Sequence, residues 1–93
     1  VAEARAQLQQ WGSNRQRLQR YEAELLPLAV QRTQAALAAY RGGGTPLAAV
    51  LDARRAEIDT RMDQLKLEME TARLWAQLNY LVPAAHDSSE NPR

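Results

Sequence analysis

The sequence predicts an all-α chain folded as one long antiparallel helical hairpin of coiled-coil type. Two observations predict the class. Ala, Leu, Gln, Glu and Arg dominate, and all are good helix formers with little rotamer freedom to lose. Ile occurs once, at Ile58, and Phe not at all, so the residues that favour strands are scarce. A third observation predicts the hairpin. The one glycine cluster, Gly42-Gly43-Gly44, is followed by Thr45-Pro46 and divides two long segments of helical periodicity.

The first arm is expected over residues 1–41. Its apolar positions are Ala4, Leu8, Trp11, Leu18, Leu25, Leu28, Ala35 and Ala39, mostly at steps of three, four or seven. Arg15 and Arg32 interrupt the stripe, and Gly12-Ser13-Asn14 is a weak point for a helix. Pro27 lacks a donor and clashes with the carbonyl four residues back, at about 3 kcal/mol. The arm is therefore expected to bend near Pro27, or to consist of two helices meeting at Leu26-Pro27.

The tip is expected at 42–45. A glycine just past a helix closes its last turn in the left-handed conformation. Thr45 is expected to accept a backbone N–H as an N-cap, and Pro46 suits the first position of the next helix. Three glycines exceed what one C-cap needs, which leaves the tip pliable or open to a partner's backbone. Tyr40 is expected to pack back on Leu47 or Val50 rather than to meet a partner.

The second arm is expected over 46–82. Leu47, Leu51, Ile58, Met62, Leu65, Met69, Ala72 and Ala76 form a near-heptad seam, expected to be core. Leu67, Leu74, Leu78 and Leu81, with Trp75 nearby, make a second row on an adjacent flank. A two-helix hairpin needs one seam per helix, so two imply neighbours on both sides. Residues 83–93 read as a polar, disordered tail after Pro83. Arms of nearly 40 residues extend about 55–60 Å, which makes a rod. The chain opens at Val1 already within a helical pattern, as expected of a piece of a longer protein.

Composition narrows the chemistry. With 93 residues and no Cys, the chain has a small core and no disulfide to support it, so partner chains are the expected supplement. The net charge of +1, with both signs spread along the chain, disfavours a nucleic-acid partner. No apolar run approaches the roughly 20 residues of a membrane-spanning helix. There is no Cys nucleophile and no phosphate-cradling glycine loop, and His86 stands beside Asp87 without further partners, so neither an enzyme nor a cofactor is expected. No metal site is expected either: Met62 and Met69 read as core rather than as thioether ligands. Arg54, Arg55, Glu57, Asp59, Arg61 and Asp63 read as a solvated face, with Arg55–Asp59 and Glu57–Arg61 supporting the helix and Asp59–Asp63 opposing it.

Three segments carry a resemblance. Ala39-Tyr40-Arg41-Gly42-Gly43 is followed, after three residues, by Leu47-x-x-Val50-Leu51-Asp52-Ala53-x-Arg55. Leu25-Leu26-Pro27-Leu28-Ala29 precedes it, and Trp75-x-x-Leu78-x-Tyr80-Leu81-x-Pro83 closes it. In this order and spacing, residues 15–83 resemble the outer membrane efflux protein family, the TolC-like outer membrane factors, and most nearly their heavy-metal efflux branch. The resemblance implies the final periplasmic hairpin of the second repeat. The parent would be a trimer whose barrel, absent here, crosses the outer membrane, and which exports metal cations or small toxic compounds passively. Its implied partners are other copies of itself, a periplasmic adaptor protein and an inner-membrane pump. By the same resemblance Asp52 falls at an acidic position near the tunnel entrance, where a ring of carboxylates would gather cations. Ala49 stands where some relatives carry a second acid. Tyr40, Gly43, Gly44, Thr45 and Leu47 fall at the tip that meets the adaptor, with Thr45 replacing an arginine of some members. The alternative from the residues alone is a self-contained dimeric helical-hairpin scaffold.

Overall fold

The computed structural model describes residues 2–81, of which 94% are helical. The order is α1 (Ala2–Arg20), a π-helical turn (Tyr21–Leu25), α2 (Leu26–Arg41) and α3 (Leu47–Leu81). The first three make one arm and α3 the other, packed along both α1 and α2 to form a rod 59 Å long. Residues 82–93, with the expected tail and His86, lie outside the described residues.

Pro27 explains the irregular turn. It sits in the first turn of α2, directly after the π-helical turn, where the Leu26 N–H donates to the Tyr21 carbonyl five residues back. Proline has no N–H to offer the turn before it, and the wider turn there gives its ring room. The arm thus stays helical through the proline instead of breaking there.

The faces of α3 differ from the expectation. Val50, Ala53, Glu57, Thr60, Gln64, Leu67, Thr71, Leu74 and Leu78, at alternating steps of three and four, are the buried or half-buried positions that meet the first arm. Leu47, Leu51, Ile58, Met62, Leu65 and Met69, expected as core, are instead 48–58% exposed. On the first arm Ala4, Gln7, Trp11, Asn14, Leu18, Tyr21, Leu25, Ala29 and Thr33 face inward, whereas Leu8, Leu28 and Ala35 are exposed. A two-helix hairpin buries one stripe of α3. The inward one is small or polar near the tip, at Val50, Ala53, Glu57 and Thr60, and further along is the row expected on the adjacent flank, Leu67, Leu74 and Leu78.

The seam is half polar. Its buried apolar side chains are Ala29, Leu67 and Leu78, and its buried polar ones are Asn14, Glu57 and Thr71. The Thr71 hydroxyl donates to the Leu67 carbonyl of its own helix at 2.7 Å. Far from the tip, Trp11 and Trp75 join the arms with ring centroids 5.6 Å apart and planes tilted by 34°. The Arg15 guanidinium lies 5.5 Å from the centre of the Trp11 ring.

Candidate functional site

The tip is closed by backbone. The Gly44 N–H donates to the Ala39 carbonyl at 2.8 Å and the Gly43 N–H to the Tyr40 carbonyl at 2.9 Å, while Gly43 has φ +80°. That pair of bonds around a left-handed residue is the Schellman closure of a helix. Gly43 is required by its dihedral angle. A Cβ on Gly42 or Gly44 would meet only ordinary contacts, at 3.6 and 3.5 Å. The two flanking glycines are therefore free of any steric demand from the turn itself.

Thr45 departs from its expected role. Its Oγ1 is buried and has no hydrogen-bond partner among the described residues, so it does not cap α3. The helix opens through the Ala49 N–H, which donates to the Pro46 carbonyl at 3.1 Å. Pro46 precedes Leu47, the first residue of α3. Here the proline's fixed φ sets the entry, and no side-chain cap is used.

Around this closed turn the expected contact residues lie open. Tyr40 and Leu47 are 42% and 50% exposed, Gly43 and Gly44 are exposed, and Thr45 is half-buried. Asp52 lies about one and a half turns further along α3, on its exposed face. Among the described residues no ion pair engages it. The tip therefore offers an apolar shoulder on each side of bare backbone, with Asp52 set back beside Leu51.

Glu57 was expected on a solvated face, yet it is only 5% exposed. Arg61 approaches one carboxylate oxygen at 3.2 Å and Arg54 the other at 3.6 Å. The Thr33 hydroxyl from the opposite arm, then Arg61 and Arg54, hold the carboxyl below its ordinary value, against the upward pull of burial. The signal was present in the spacing: Val50, Glu57, Gln64, Thr71 and Leu78 recur every seven residues. Among the described residues, no group of three or more His, Cys, Asp or Glu side chains could hold a metal ion.

The outer face of α3 is the other surface of note. Ile58, Met62, Leu65, Met69, Ala72 and Ala76 repeat at alternating steps of four and three, which is a coiled-coil seam on which no helix of the described residues packs. Met62 and Met69, expected as core, line this outward seam. No described helix is long and apolar enough to cross a membrane. Comparison with known families, curated proteins and solved structures finds no match to the chain.

Proposed function

We propose that the chain is a wall-forming periplasmic hairpin of an outer membrane efflux duct. The observation that carries this reading is the second, unoccupied heptad seam along α3. A hairpin sufficient to itself has no use for such a seam, whereas a helix in a closed wall needs a neighbour on each side. The resemblance of residues 15–83 supplies the rest of the reading. Three copies would surround the path, the tip at Tyr40, Gly43, Gly44, Thr45 and Leu47 would meet an adaptor, and Asp52 would add negative charge near the entrance. Substrates, metal cations or small toxic compounds, would pass unchanged, driven by a pump elsewhere. Deletion of the encoding gene tests this reading. Loss of tolerance to zinc, cobalt, cadmium or hydrophobic toxins, with intracellular accumulation of the same compound, is expected. Unchanged tolerance and unchanged accumulation across all of them would overturn it.

A further inference from the structure

We infer that two copies of this chain pair through the outer face of α3 as an antiparallel, twofold-symmetric dimer. The stripe Leu51, Ile58, Met62, Leu65, Met69, Ala72 and Ala76 supplies the apolar contact. Its direction is set by charge. Asp52, Asp59, Lys66 and Arg73 follow one another at seven-residue intervals along one edge of that stripe, and all four are exposed. Among the described residues none of them forms an ion pair within the chain.

The order along this edge is acid, acid, base, base. A helix with that order complements itself when turned end for end. A twofold axis between Met62 and Leu65 sets Met62 on Leu65 of the second copy, Ile58 on Met69 and Leu51 on Ala76. Arg55, the one charged side chain on the stripe, falls opposite the small Ala72, where its stem can lie flat and its guanidinium reach water. In antiparallel coiled coils like edges face one another, so Asp52 then meets Arg73 and Asp59 meets Lys66, each pair occurring twice. On the other edge Arg61 faces Glu68, and Arg54 faces the exposed Trp75 as a cation over a ring. A parallel pairing brings opposite edges together and sets Arg54 beside Asp59 and Glu68 beside Arg73, but also Arg61 beside Lys66, a like-charge contact that the antiparallel pairing does not have. An isologous interface of this kind closes on itself and stops at two.

This pairing does not rest on the duct reading. Three copies about a threefold axis keep their α3 helices parallel, so a duct would cover the stripe with a different segment. The dimer is how two copies cover it when they meet each other.

The full chain tests this, and its lack of cysteine allows a single spin label. Gln77→Cys is exposed and lies off the stripe. Labels on an antiparallel dimer are expected about 40 Å apart, at 1.5 Å per residue on either side of the axis. In a parallel dimer they would fall within about 20 Å. A second arm uses charge. Lys66→Glu with Arg73→Glu makes the edge wholly acidic, and Asp52→Lys with Asp59→Lys makes it wholly basic. Each double variant alone is expected to weaken dimerisation at least tenfold, and the equimolar mixture to form a heterodimer. A monomer at millimolar concentration, a short label distance, or variants that dimerise as tightly as the original chain would each overturn the inference.

Discussion

Thr33 and Ala53 are joined across the hairpin: the Thr33 Oγ1 donates to the Ala53 carbonyl at 3.2 Å. The same oxygen stands 3.2 Å from the Ala29 carbonyl of its own helix and also serves Glu57. The hydroxyl carries one proton, so it donates to one of the two carbonyls at a time. Such a contact fixes which turn of α3 faces which turn of α2, because a shift along the seam would part the Thr33 hydroxyl from the Ala53 carbonyl.

Thr33→Val keeps the shape and removes the hydroxyl. Stability is expected to fall by about 0.5–1.5 kcal/mol, the typical net value of one hydrogen bond. Thr33→Ser should retain most of it. Thermal unfolding followed by circular dichroism distinguishes the two.

The glycines of the tip should separate cleanly. Gly43→Ala forces a side chain into φ +80° and is expected to cost about 1–2 kcal/mol. Gly42→Ala and Gly44→Ala meet only ordinary contacts. They are expected to be neutral or to stabilise by up to about 1 kcal/mol through the unfolded chain. Denaturant unfolding of the three variants checks this order.

Glu57 makes the hairpin sensitive to acid. Its carboxyl titrates below the ordinary 4.5 in the folded chain, so the folded state favours the ionised form. Its contribution is complete above about pH 4.5 and is lost as the pH falls through the lowered value. Glu57→Gln is expected to flatten the acid limb of a stability–pH curve while changing little of its shape above that range. An unchanged acid limb would remove Glu57 as its source.

Asn14 is the most enclosed large side chain, 1% exposed. Its Oδ1 accepts from the Gln10 side chain at 3.1 Å, whereas its Nδ2 has no partner among the described residues. Asn14→Leu removes that orphaned donor and is expected to stabilise the hairpin by about 1–2 kcal/mol. Buried polar residues on a heptad seam specify register at a cost in stability. The variant should therefore also lose exclusivity, which a broader set of interarm distances between paired spin labels would reveal.

Much of this arrangement was legible in the residues. The glycine cluster marked the reversal because only a left-handed residue closes the first arm, and Gly43 takes that conformation. The helical class followed from composition. The inward face of α3 was not legible by hydrophobicity, because Leu51, Ile58 and Leu65 form a stronger apolar stripe than Glu57, Thr60 and Gln64. Periodicity alone cannot rank two stripes of the same period, and the inward one mixes Leu67, Leu74 and Leu78 with polar residues. Thr45 read as a cap from its residue type, but capping depends on where the hydroxyl points. Pro27 announced an irregularity without its form, since a bend and a π-helical turn both relieve the same clash.

A half-polar seam holds the arms together while the more apolar stripe of α3 faces outward. Replacing Ile58, Met62, Leu65 and Met69 together by Gln tests it most directly, with helicity and sedimentation measured on the same sample. Helix content and a cooperative thermal transition are predicted to persist, and the chain is predicted to sediment as a monomer at concentrations where the original associates. Collapse of helicity in that variant, as expected for the loss of a buried core, would contradict the account.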